Sequence, residues 1–149
     1  MSGRTVLVTR PAGQAGRLVD ALRAEGAGTI ELPAIAIEPP ASFDAMDGAI
    51  KRRDYDWVVF TSANGVASFN ERLHAIGEPA AWYGRARIAA IGPETARAVE
   101  ATGVKADLVP DEYVAEALVA CLSDTGPLRG QRVLLPRADI AREALAAGL

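Results

Sequence analysis

The sequence predicts an α/β protein built on parallel strands, and three observations carry the prediction. Short apolar runs recur along the 149 residues, each followed by a Gly, Pro or hydroxyl turn and then a segment of helical period. The runs are continuously apolar rather than alternating, which marks strands buried on both faces. Alanine contributes 30 residues, which favours helices that lie close against a sheet. Together these predict a doubly wound parallel sheet assembled from right-handed βαβ units.

The elements follow in order. Thr5 to Thr9 reads as a strand, Arg10 to Gly13 as a turn, and the stretch to about Glu25 as a helix. Ala15, Leu18, Val19 and Leu22 form the apolar face of that helix by the i, i+3, i+4, i+7 rule. Gly26 suits its C-terminal cap. Thr29 to Leu32 is a second strand. Residues 34–40 read as an extended linker closed by Pro39 and Pro40. Ser42 is placed to cap a helix over residues 43–53. Asp56 to Phe60 is a strand, and residues 61–65 turn into a helix with Val66, Phe69, Leu73 and Ile76 on one face. Arg87 to Ile91 is a strand, and Pro93 opens a helix that Gly103 ends. Val104 to Val109 holds a short strand, and Pro110-Asp111 opens a helix over residues 112–122. Residues 123–130 are a loop, Arg132 to Leu135 a strand, residues 136–139 a turn, and Ile140 to Ala147 a helix.

Composition excludes several classes. Half the residues are hydrophobic, so the chain is not disordered. The net charge of −3 gives no basic surface for nucleic acid. A single cysteine, Cys121, excludes an internal disulfide, and a single histidine, His74, excludes a His-rich metal site. No apolar run is long enough to span a membrane, and the N-terminus lacks the apolar stretch of a signal peptide, so the cytoplasm is the expected compartment. Phosphate-loop, nucleophile-elbow and zinc-protease motifs are absent, and Gly13 to Gly16 is half of a dinucleotide fingerprint. Cys121 reads as a buried helix residue, His74 as mid-helix, and Tyr113 as a packing residue at a helix start.

In an open parallel sheet, ligands bind where strand carboxyl ends lead into helix N-termini. Four turns have that position: Thr9-Arg10-Pro11, Thr61 to Asn64, Gly92 to Thr95, and Pro136-Arg137. Each offers backbone N–H groups and a positive helix end, so the expected ligand is an anion with several separated negative groups. The same Ser, Thr and Gly residues also serve as ordinary caps. Arg10 and Arg137 stand open between ligand contact and solvated surface charge. No residue stands out as a general acid or base, so positioning and backbone electrostatics would carry any catalysis.

At these turns the sequence resembles uroporphyrinogen-III synthase. The matching segments run from Val6 to Pro11, from Trp57 to Val66, from Ala90 to Ala96 and from Val133 to Arg137. The resemblance implies a cofactor-independent lyase of tetrapyrrole and heme biosynthesis. Such an enzyme closes linear hydroxymethylbilane, an octacarboxylate, into uroporphyrinogen III with inversion of the last ring and loss of water. It also implies two α/β domains joined by a two-stranded linker, with substrate in the cleft between them. Residues 1–37 would open a discontinuous first domain, and residues 38–149 would form most of the second. Thr9, Arg10, Ser62, Ala63, Asn64, Gly92 and Arg137 would contact substrate, and Thr95 would act as a proton-relay or leaving-group contact. No cofactor, nucleic acid or membrane partner is implied, and a complete chain would be monomeric. The resemblance covers the opening of the first domain but not the family's return strand with its tyrosine. Weak or no activity is therefore expected of these 149 residues alone. A non-catalytic α/β module that binds a tetrapyrrole or another anion is the alternative, and edge pairing of residues 1–37 with another chain is a third reading.

Overall fold

The computed structural model describes residues 3–78 and 80–137. It divides into two compact units, with the break between Ser42 and Phe43.

The first unit is a βαβ segment: β1 (Thr5–Val8), α1 (Ala12–Ala24) and β2 (Gly28–Glu31). β1 and β2 pair in parallel, with Leu7 opposite Ile30. Gly26 adopts φ 78° just beyond the helix, a conformation that glycine reaches without Cβ strain. Val8, Ala15 and Val19 are buried together, with Val6 and Leu22 against them. Leu18, expected on that apolar face, is exposed instead. The register partners Leu7 and Ile30 are 54% and 56% exposed, and Leu32, Ile35 and Ile37 are exposed beyond them. The pattern expected of strands buried on both faces therefore does not hold for this pair. Residues 32–40 carry no helix or strand, as the Pro-Pro linker predicts.

The second unit carries α2 (Asp44–Arg52), β3 (Trp57–Phe60), α3 (Ala63–Ala75), a 3₁₀ turn (Ala80–Tyr83), β4 (Arg87–Ala90), α4 (Pro93–Glu100), α5 (Ala115–Asp124) and β5 (Val133–Leu134). Its sheet order is β4-β3-β5, all parallel. β3 is buried at all four positions, which is why its sequence is apolar without alternation. The side chains still alternate between two separate cores. Val58, Phe60 and Ile88 pack with Val66, Phe69 and Leu73 of α3 and Val99 of α4. Trp57, Val59 and Ala89 pack with Leu118 and Leu122 of α5. Helices thus cover both faces, and the α/β class with parallel strands stands as the sequence predicts. Phe69 anchors the larger core edge-on to Phe60 at 5.8 Å and to Trp82 at 5.1 Å. The Trp82 indole donates to the Ile50 carbonyl at 2.7 Å, which ties the 3₁₀ turn to α2.

Several expected details are corrected. The cap position of α2 is Phe43, not Ser42, because the helix begins one residue later than a serine cap requires. Residues 104–109 form no strand; Leu108 makes one isolated parallel bridge to Ala89. α5 begins at Ala115, not at residue 112, and runs to Asp124. Val114 holds extended backbone at its start, so Pro110 and Asp111 belong to the connection and do not open the helix. His74 lies in the last turn of α3 and is exposed. Cys121 is half-buried on α5. The expected helix over residues 140–147 lies outside the described residues.

Candidate functional site

Within the second unit, three adjacent strands deliver their carboxyl ends to one edge of the sheet. The central strand, β3, leads through Thr61 and Ser62 into α3. Ser62 has extended backbone (φ −161°, ψ 152°), and its Oγ accepts the Gly65 N–H at 3.0 Å. The capping role of this serine is therefore present in the fold, and its hydroxyl oxygen is already engaged once. The Ala63 N–H precedes the first intrahelical bond, from Val66 to the Ser62 carbonyl, and helix geometry gives it no acceptor. Ala63 is half-buried and Asn64 is exposed.

β4 leads through Ile91 and Gly92 into α4. Gly92 is the cap position, buried, with extended backbone (φ −171°), and Pro93 takes the first helical position. The Ala96 N–H closes the first turn on the Gly92 carbonyl at 2.9 Å, which leaves the Glu94 and Thr95 amides without intrahelical acceptors. Thr95 is the one buried polar residue among those described, at 5% exposure. Its hydroxyl has no hydrogen-bond partner among the described residues. A threonine so placed is not serving as a cap.

β5, the other neighbour of β3, ends in the turn that carries Arg137. The Pro136 carbonyl oxygen lies 3.3 Å from where a Cβ on Gly65 would stand. This contact sets the turn after β5 against the first turn of α3, and Gly65 permits the approach. Arg137 is exposed at that turn. The fold thus brings together Ser62, Ala63, Asn64, Gly92, Thr95 and Arg137 along one edge. Thr9 and Arg10 occupy the equivalent turn of the first unit, both exposed, where the Thr9 carbonyl accepts the Ala34 N–H at 3.1 Å.

One residue at this edge escaped sequence reading in that role. Tyr113, expected to pack at a helix start, precedes α5, is 61% exposed, and places its ring over Gly92. Its only sequence signal is an aromatic among acidic residues, which points to no site. At the opposite end of the sheet, a shallow groove is lined by Gly48, Arg52, Tyr55 and Arg132. Asp54 pairs there with both Arg52 and Arg132. These pairs lie at the amino ends of the strands, away from the helix N-termini. Among the described residues no group of His, Cys, Asp or Glu could hold a metal ion. No described helix is long and apolar enough to cross a membrane.

A parallel α/β sheet with two helix N-termini, hydroxyls and an arginine at its carboxyl edge places the chain in the open-sheet α/β class, in which ligands meet the carboxyl ends of strands. Comparison with known proteins gives the particular family. The profile of uroporphyrinogen-III synthase HemD matches residues 16–149, and the chain belongs to that family. The match begins at Gly16, so Thr9 and Arg10 lie ahead of it. Uroporphyrinogen-III synthase of Synechococcus elongatus is 41% identical over 139 residues, covering 92% of this chain and 51% of that protein. The Chlorobaculum parvum enzyme of the same name is 30% identical, covering 93% and 54%. Uroporphyrinogen III synthase from Thermus thermophilus superposes with a TM-score of 0.62 at 18% identity, over 99% of this chain and 56% of that one. A triple mutant of that enzyme superposes with a TM-score of 0.72 at 17% identity. These structures establish the fold. The chain spans about half the length of the curated relatives named here.

Proposed function

We propose that this chain supplies part of a uroporphyrinogen-III synthase, a cofactor-independent lyase that closes hydroxymethylbilane with inversion of the last ring and loss of water. The observation that carries the reading is Thr95: a buried threonine whose hydroxyl has no partner among the described residues, in the first turn of α4. Beside it, the Glu94 and Thr95 amides, the α3 N-terminus and Arg137 offer separate contacts for separate carboxylates. Thr95 contacts the departing hydroxyl or relays its proton. Ser62, Ala63, Asn64, Gly92 and Arg137 hold substrate carboxylates, and Thr9 and Arg10 add a further anion-binding turn. No metal or cofactor enters this scheme, since positioning and fixed dipoles supply the rate.

In this reading residues 1–37 open a discontinuous first domain and residues 38–149 form most of the second. The exposed Leu7 and Ile30 are then positions awaiting sheet and helix neighbours. The protein acts in the cytoplasm, and the complete enzyme is a monomer. The 149 residues alone give weak type-III product formation, because a two-stranded sheet with one helix cannot hold the Thr9-Arg10 turn firmly.

The test is a hydroxymethylbilane cyclisation assay that separates the type-III product from the type-I product. Full type-III formation by the 149-residue chain would overturn the expectation of weak activity. In a chain extended to the length of its relatives, Thr95→Val should lower kcat by about 10-fold or more, and Thr95→Ser should retain most of it. An unchanged rate for Thr95→Val removes Thr95 from the mechanism. The second reading is a non-catalytic tetrapyrrole-binding module that keeps the turns of Ser62 and Gly92 as anion contacts. It predicts calorimetric binding of the product without turnover, even in the extended chain.

A further inference from the structure

Glycine at position 92 is not demanded by its backbone. Its φ of −171° is extended, and any residue adopts it. What crowds a side chain there is Tyr113. A Cβ on Gly92 would stand 3.1 Å from Tyr113 Cγ, 3.2 Å from Cδ1 and 3.4 Å from Cβ. The tyrosine ring thus lies in the space that a side chain at the cap of α4 would fill, in the same turn that delivers Thr95.

Burial does not explain the ring's position. Tyr113 is 61% exposed, and its neighbours Val109 and Val114 are also exposed, so the connection from Leu108 to α5 presents three large apolar side chains to solvent. A hydrophobic residue that is mostly solvated gains little by lying on a glycine. The same connection carries exposed Asp111 and Glu112, which excludes it as a carboxylate receptor. The edge therefore has two chemically distinct parts: helix N-termini that suit anions, and beside them an aromatic surface that does not.

We propose that Tyr113 is a substrate-positioning residue: its ring, given room by Gly92, supports a planar pyrrole ring of the ligand while the ring's carboxylates reach the N-termini of α3 and α4. The proposal rests on the tetrapyrrole reading above and adds a ring-recognition surface to its anion sites. A tetrapyrrole is itself divided in this way, with flat apolar rings that carry charged side arms, and both parts must be met at once. Stacking of an aromatic side chain on a ring favours offset or edge-on geometry, for which an exposed, laterally supported tyrosine is suited.

The experiment is a fluorescence titration of the 149-residue chain with uroporphyrin, an octacarboxylate tetrapyrrole, and with citrate as a ringless polycarboxylate. Tyr113→Ala should weaken uroporphyrin binding about fivefold and leave citrate binding unchanged, whereas Tyr113→Phe should keep uroporphyrin affinity within about twofold. Gly92→Ala should weaken uroporphyrin binding in the wild-type background, by displacing the ring. Thermal melting of Tyr113→Ala should match the wild type, since an exposed side chain is removed. Equal affinity of wild type and Tyr113→Ala for uroporphyrin overturns this proposal alone. A parallel loss of citrate binding overturns it also, because the ring would then serve the anion sites rather than a pyrrole. Failure of the wild-type chain to bind uroporphyrin, when extended to the length of its relatives as well as at 149 residues, overturns the tetrapyrrole reading beneath it.

Discussion

Asp47 and Arg72 show how single residues fix the second unit. The Arg72 guanidinium donates two hydrogen bonds of 2.6 Å to the two carboxylate oxygens of Asp47, joining α2 to α3, and it also lies 4.5 Å over the Phe43 ring. The hydrogen bond from Arg72 is the chief cause that holds the Asp47 carboxyl below its ordinary value of 3.8. A depressed carboxylate contributes stability that is fully present above the unfolded value and is lost as pH falls through the folded one. As pH falls from about 5 to about 2 the wild type should therefore lose thermal stability faster than Asp47→Asn, and parallel melting curves for the two would refute the assignment. Thr95 gives the opposite case, a polar group that the fold does not use. Thr95→Val removes a hydroxyl without a partner among the described residues, so the melting temperature should hold or rise, by at most about 1 kcal/mol of stability. A loss of more than about 2 kcal/mol in a melt would mark Thr95 as structural.

At the scale of elements, Phe60 tests the central strand. It is wholly buried at the carboxyl end of β3, against Phe69 and 6.4 Å from the Tyr83 ring. Phe60→Ala should cost about 3–5 kcal/mol by chemical denaturation, through lost transfer energy and the cavity left behind. The run Trp57 to Phe60 and the helix face Val66, Phe69, Leu73 were legible in the sequence because burial on two sheet faces and on one helix stripe leaves distinct apolar patterns. The turns with Ser62 and Gly92 were legible because strand, cap and helix follow within a few residues. The start of α5 was not legible. Pro110 and Asp111 imitate a helix opening, but the chain from Pro110 to Val114 instead passes the end of the sheet, where Tyr113 reaches Gly92. That contact joins residues 21 positions apart in the chain (113 less 92), and no local pattern records it. Residues 104–109 mislead for a related reason. Asp107 and Leu108 alone of these reach β4: the Asp107 N–H donates to the Ile88 carbonyl at 2.7 Å, and the Leu108 carbonyl accepts the Ala90 N–H at 2.9 Å.

At the scale of the whole molecule, charge and burial are both unevenly shared. Residues 1–42 carry four arginines against four acids, and residues 43–149 carry the full net charge of −3. Any attraction for a polycarboxylate must then be local, from helix ends and a few arginines. Burial separates the units more sharply. The second unit contains two apolar cores, one on each sheet face, whereas the first has Val8, Ala15 and Val19 on one face of a two-stranded sheet. Leu7 and Ile30, opposite one another in register, are more than half exposed. Ordering a residue costs about 1–2 kcal/mol, and a two-stranded sheet with a single helix buries too little to offset that over its length. Local opening of β1 and β2 should therefore be far easier than opening of β3 and β4. In native-state hydrogen exchange of the 149-residue chain, the amides of Leu7, Val8 and Ile30 should exchange at least about 100-fold faster than those of Val58, Val59 and Ala89. In the chain extended to the length of its relatives, the first set should gain protection while the second changes little. Equal protection of the two sets in the 149-residue chain would show that the first unit is stable as it stands, and the expectation of weak activity would lose its physical basis.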